Sequence, residues 1–226
     1  MESVGQRLDD FADLKRELLL ALKRGGPSTI AALAGPLRVT REGARLHLAG
    51  LERDGWVRRR GGPRGSGPGR PVARYELTAA GEELFPKAYD ALAVEMLDAV
   101  ADQFGTKALK KVLTALVEAR VKRFEPRLRG LSLEKRLERL KELYLADDPF
   151  MSVEREGAQL RLVERNCPFF SVASRRPALC SVTVNTMSRL LGRRVAREER
   201  FQAGHGRCSF VVKLREKVPP RFEFEA

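Results

Sequence analysis

The chain has 226 residues, 43% hydrophobic and 32% charged, which leaves enough apolar material for a packed core and excludes a disordered or fibrous chain. Its net charge of +13 points to a polyanionic partner, with nucleic acid the first candidate. The apolar run 18–22 is far too short to span a bilayer, and the polar N-terminus has no signal-peptide pattern; the expectation is a cytoplasmic protein with no membrane partner.

Leu8, Phe11, Leu14, Leu18, Leu19 and Leu22 recur at helical spacing and predict a helix over 8–24, ended by Gly25-Gly26-Pro27. Ser28 or Thr29 can cap a short helix over 30–34, and Gly35-Pro36 makes a turn. Thr40 is a good cap for a third helix over 41–53, with Leu46, Leu48 and Leu51 as its expected buried face and Gly55 beyond its end. A strand starts at Trp56, its returning partner covers 74–77, and the Gly-, Pro- and Arg-rich stretch 61–71 reads as the hairpin tip.

The middle is helical. One long helix is expected over 82–103, bent at Pro86, and another over 106–124, with Leu109, Val112, Leu113, Leu116 and Val117 facing inward. A third is expected over 133–145, with Leu137, Leu140 and Tyr144 on one side. The last third reads as a hairpin (150–153 and 159–163, turning near Gly157), a helix over 182–191, and strands over 195–201 and 209–214.

The whole is a mostly α chain with an α+β C-terminal domain. It divides into a winged helix-turn-helix over 1–82, a helical linker and dimerisation region over 83–146, and a mixed α/β sensor domain over 147–226.

Three helices followed by a two-stranded wing is the element order of a winged helix-turn-helix, whose recognition helix would be 41–53. The residues at its N-terminal end, Thr40, Arg41, Glu42 and Arg45, with His47 next, are the candidates for DNA contact. Arg41 and Arg45 stand four apart and share a face, so two guanidinium forks can meet guanine edges or phosphates. From Arg38 to Arg74 there are ten arginines against three acids, a local charge of +7. Arg58, Arg59, Arg60, Arg64 and Arg70 concentrate on the wing, where they suit a phosphate backbone or a narrow minor groove.

The three cysteines, Cys167, Cys180 and Cys208, all lie in the last domain with spacing C-x12-C-x27-C. No C-x2-C pair is present, so neither a zinc ribbon nor a ferredoxin run is indicated. Each cysteine falls near an element boundary, where loop thiols can converge. The start of a helix near Cys180, with Arg175, Arg176 and Arg207 nearby in sequence, would favour thiolates. Thiolates bind iron–sulfur clusters or zinc, while three ordinary core thiols are the plain alternative.

The N-terminal third carries Ser28-Thr-Ile-Ala-Ala-Leu-Ala, then Leu51-Glu-Arg-Asp-Gly-Trp-Val, Gly69-Arg-Pro and Tyr75-Glu-Leu-Thr-Ala-Ala-Gly. It resembles winged-helix regulators of the ArsR/DeoR type. The C-terminal part carries Glu164-Arg-Asn-Cys167-Pro-Phe, Pro177-Ala-Leu-Cys180, Leu190-Leu-Gly-Arg-Arg-Val-Ala-Arg and Gly206-Arg-Cys208-Ser-Phe. With these, nearly the whole chain resembles SufR-type repressors.

The resemblance implies a homodimeric transcriptional regulator that binds a double-stranded operator and holds an iron–sulfur cluster, [4Fe-4S], on Cys167, Cys180 and Cys208. Fully cysteinyl members carry a further cysteine just before the Val-x-Arg strand, where this chain has Gly192-Arg193-Arg194. The remaining iron then needs another ligand: His205, Glu198, Glu199, water or a small molecule, with His205 the nearest in sequence to a cysteine. Zinc on three cysteines and His205, or bare thiols acting as a redox sensor, is the alternative. No nucleophile–base set, phosphate loop or carboxylate pair points to an enzyme.

Overall fold

The computed structural model describes residues 7–61, 72–145, 148–157 and 159–224, and the chain divides into two compact units at Lys87/Ala88. It is a mixed helix-and-strand protein with two small sheets.

The first unit contains α1 (Asp13–Gly25), α2 (Ile30–Ala34), α3 (Arg41–Arg53), β1 (Val57–Arg60), β2 (Arg74–Leu77) and α4 (Ala79–Glu83). The helix expected over 8–24 is interrupted: Leu8–Asp10 form a 3-10 turn, the Asp10 carboxylate accepts the Arg7 N–H at 2.7 Å, and Phe11 is extended. That interruption turns the Phe11 ring into the core, edge-on to Trp56 at 6.0 Å. Thr29 and Thr40 cap α2 and α3, accepting the N–H groups of Ala32 and Gly43. The buried stripe of α3 is Ala44, Leu48 and Leu51, whereas Leu46 is 72% exposed. Spacings of four and three keep the first three on one face, and Leu46, two residues before Leu48, lies on the opposite side.

β1 and β2 pair antiparallel, and a bridge between Ser28 and Tyr75 adds a third short edge that the sequence reading lacks. Thr78 ties this sheet to α4: its hydroxyl caps the helix at Gly81 N–H and donates to the Gly55 carbonyl at 2.7 Å. A Cβ at Gly81 would stand 2.1 Å from the Trp56 carbonyl oxygen, so only glycine allows this approach.

The second unit contains α5 (Tyr89–Phe124), α6 (Leu133–Tyr144), β3 (Ser152–Glu156), β4 (Gln159–Glu164), α7 (Phe170–Arg175), α8 (Cys180–Leu191), β5 (Arg194–Glu199) and β6 (Cys208–Lys213). Pro86 does not bend one helix. It separates α4 from α5, because proline cannot donate into a helical ladder, and the boundary between the units falls beside it. Gly105 (φ 76°, ψ 169°) breaks α5 into two segments, as the sequence division between 103 and 106 anticipates. Of the residues expected to face inward after that break, Leu113 and Val117 are buried and Val112 and Leu116 are exposed. α5 and α6 share one compact unit with the C-terminal sheet.

That sheet has the antiparallel order β3-β4-β6-β5. Directly paired residues point to the same face, and alternate residues along a strand do so too. One face therefore carries Leu160, Leu162 and Glu164 from β4, Cys208, Phe210 and Val212 from β6, and Val195 and Arg197 from β5. Its apolar members join Leu137 and Leu140 of α6 and Met187, Leu190 and Leu191 of α8 in one core. At one end of the face the apolar series stops, and Glu164, Cys208 and Arg197 occupy the inward positions.

Candidate functional site

Cys167 lies in the turn between β4 and α7, Cys180 is the first residue of α8, and Cys208 is the first of β6. The α7 helix is absent from the sequence reading; with the 3-10 turn Pro177–Leu179 it folds the Cys167 segment back toward Cys180. The three thiols line one small cavity of about 20 Å³, together with Glu164, Arg197, Phe169 and Phe210. About one water would fill that space.

Upstream support comes from Asp148, a fully buried carboxylate. It accepts the backbone N–H groups of Phe150 and Arg165 at 2.9 and 2.8 Å, fixing the chain two residues before Cys167. Arg197 Nη1 donates to Cys208 Sγ at 3.8 Å, and Gln202 Nε2 donates to Cys180 Sγ at 3.5 Å.

Cys167 and Cys208 are not held as ready thiolates by the arginines expected near them. Burial, with the nearby Glu164 charge adding to it, pushes the Cys167 thiol up to about 12. Burial also raises Cys208, with the Phe201 backbone N–H and Arg197 working in the other direction. Arg176 is engaged by Asp98 of α5, and Arg207 makes two bonds to Glu199 at 2.8 and 2.9 Å. The guanidinium at the thiols is that of Arg197.

The proposed additional ligands also fall elsewhere. His205 does not line the cavity, and its Nδ1 accepts the Arg200 N–H at 3.0 Å. Glu198 accepts from Lys213 at 2.7 Å. Glu199 is turned away by a bulge: the register moves from Arg197↔Phe210 to Glu199↔Ser209, so Glu199 leaves the face of Cys208. The Gly192–Arg194 position is remote as well. Arg194 pairs with Lys213, five residues along β6 from Cys208, about 17 Å at the rise of an antiparallel strand.

The residues near the thiols that the sequence reading lacks are Glu164 and Arg197, which line the cavity, and Gln202, which donates to Cys180. A signal for the first two was present. Leu160, Leu162, Glu164 and Val195, Arg197 follow the period-two pattern of an inward face, so each charge occupies the next buried position. Among the described residues, no three Cys, His, Asp or Glu side chains are gathered closely enough to hold a single metal ion.

The candidate nucleic-acid residues are assembled differently. Arg41, Glu42 and Arg45 are exposed along α3, with Glu42 and Arg45 paired at 3.7 Å; His47 is half-buried. The Thr40 hydroxyl is committed to the Gly43 N–H. On β1, Arg58 and Arg60 lie on one face, where both reach Glu76 (2.7 and 3.8 Å), while Arg59 lies on the other. Arg64 and Arg70 lie outside the described residues.

No protein-family model, curated protein or solved structure matches the chain.

As a donor set, the cavity suits an iron–sulfur cluster. It offers three thiols from separate elements and a carboxylate, with a guanidinium beside them to balance charge, all at the end of an otherwise apolar face. Each cysteine of a cluster ligates its own iron, so the sulfurs need not crowd one point as they must around zinc. The cavity is small, so loading must part its walls, and Cys167 sits in a short turn outside any helix or strand.

Proposed function

We propose that the protein is a DNA-binding transcriptional regulator whose operator binding is controlled by an iron–sulfur cluster held by Cys167, Cys180 and Cys208. The observation that carries the reading is that three cysteines far apart in sequence line one cavity, and that a buried acid and a buried arginine line it with them. A cluster would supply a redox-active, oxidant-labile group whose charge and presence differ between states.

The DNA-binding part of the proposal treats residues up to Lys87 as a winged helix-turn-helix. The order α1-α2-α3-β1-β2, the exposed Arg41 and Arg45, and the arginines of β1 support it. Leu46, exposed beside Arg45, adds an apolar side chain suited to a thymine methyl.

A homodimer fits as well. Tyr89, Leu92 and Met96 form an exposed apolar stripe on the first segment of α5, and Val112 and Leu116 form another on the second. A two-fold protein matches a two-fold operator. Cytoplasmic placement accords with this role, and no described helix is long and apolar enough to cross a membrane.

The zinc and bare-thiol alternatives draw less from the site. Zinc needs four donors around one point, and a thiol sensor needs a ready thiolate, which the raised Cys167 does not provide. The test is anaerobic reconstitution with iron and sulfide, followed by a visible spectrum and analysis for iron, sulfide and zinc. A brown protein with matched iron and sulfide supports the proposal; a colourless protein, or one that holds only zinc, refutes it.

A further inference from the structure

The sheet register places a carboxylate where a cluster with three cysteines has a ligand position to fill. Glu164 is the last residue of β4 and pairs directly with Cys208, so the two side chains leave the sheet on the same side. It is 8% exposed, and it lines the cavity with all three thiols. Its charge is felt at both Cys167 and Cys208. No other described carboxylate or imidazole lines that cavity.

We propose that Glu164 is the fourth protein ligand of the cluster, its carboxylate oxygen binding the iron that no cysteine reaches. The inference rests on the reading that this cavity holds an iron–sulfur cluster.

The chemistry is a ligand exchange without electron transfer. The three thiols give their protons to solvent, and as three sulfur–iron bonds form, each thiolate displaces one of the exogenous ligands carried by the incoming cluster. The Glu164 carboxylate forms one oxygen–iron bond and displaces the last of those exogenous ligands. Three thiolates and a carboxylate outweigh the positive charge of an oxidised cluster core, and Arg197 at the same cavity offsets part of the surplus. An oxygen ligand is harder than a thiolate and holds that iron less tightly, which makes one corner the point of attack for oxidants and chelators.

The experiment compares wild-type protein with E164Q, E164C and the control E199Q after anaerobic reconstitution. The readouts are iron and sulfide content, the electron paramagnetic resonance spectrum of the reduced cluster, and the rate of iron loss to a chelator. Circular dichroism of each apo-protein verifies the fold. We expect E164Q to alter the resonance spectrum and to lose iron about tenfold faster or more. E164C, which completes a four-thiolate set, should lose iron about tenfold more slowly than wild type. E199Q should match wild type.

Glu164 is excluded as a ligand if E164Q or E164C, folded and loaded, keeps the wild-type spectrum and rate. Should E164Q fail to fold, E164C decides alone. A wild-type protein that binds no cluster overturns the underlying reading and this inference together, an outcome distinct from a loaded wild type indifferent to Glu164.

Discussion

Among the described residues, every buried polar or charged side chain belongs to the C-terminal unit: Asp148, Glu164, Ser181, Asn185, Thr186, Ser188, Arg197 and Ser209. The N-terminal unit packs Phe11, Leu18, Leu19, Leu48, Trp56 and Phe85 into an apolar interior and leaves Arg41, Arg45, Arg58, Arg59 and Arg60 exposed. The contrast matches two kinds of recognition. A phosphate backbone is met by solvated charge on an exposed helix and ribbon, and the core beneath need only be rigid. A cluster is met by donors withdrawn from water, so the polar groups must enter the core and be held there by hydrogen bonds such as those of Asp148.

The contrast breaks most sharply at the thiols. Serine at Cys167, Cys180 or Cys208 should abolish the visible chromophore after reconstitution while leaving binding to arbitrary duplex DNA intact, as absorption and fluorescence anisotropy will show. If all three variants keep the chromophore, the metal site lies elsewhere.

The reciprocal break is G81A. Its Cβ would press on the Trp56 carbonyl, and the α4–β1 contact can yield only by moving backbone. A destabilisation of about 3 kcal/mol is expected. Urea unfolding should show it as an early transition with loss of DNA binding, while the C-terminal chromophore persists. Unchanged unfolding would contradict the close packing.

A smaller effect separates contact from fold within the N-terminal unit. R41A and R45A should each weaken operator binding by about 1–3 kcal/mol, with unchanged melting and chromophore. Equal loss on specific and random duplexes would make them phosphate rather than base contacts.

The smallest effect lies on the surface of the C-terminal unit. The Arg176 guanidinium holds the Asp98 carboxyl below its ordinary value, mainly through direct hydrogen bonds. A carboxyl lowered in the folded state contributes stability that is fully present above its unfolded pKa and is lost as pH falls through the lower folded value. D98N should therefore flatten the acid limb of the stability curve slightly and leave neutral pH almost unchanged, because the pair is exposed and screened. Side-chain carboxyl shifts followed by NMR should show a depressed Asp98 midpoint; an ordinary midpoint would remove the ion pair from the account.

The two units also differ in how far their sites could be read from the sequence. The candidates on α3 were accessible because a capped helix fixes its own geometry: Thr40 sets the start, and the spacing of Arg41 and Arg45 follows. Leu46 was misplaced because its hydrophobicity outweighed its phase relative to Leu48.

The cysteines were identified by residue type, but their surroundings depended on register, which local spacing does not reveal. Glu164 meets Cys208 through a pairing of strands 44 residues apart, and one bulge residue removes Glu199 from the same face. His205 was favoured by nearness in sequence, which a glycine-flanked loop does not convert into nearness in space. The α7 helix is not legible because its six residues, begun by Phe170 after the cap residue Phe169, are too few to carry a helical period.

Operator affinity measured anaerobically, on one preparation before and after cluster removal, tests the central claim most directly. The duplex would be selected from random sequence by the loaded protein. The account predicts a change of about tenfold or more between the two states, reversed on reconstitution and absent in the cysteine variants. Equal affinity in the loaded and stripped states, with a cluster demonstrably bound, would contradict it.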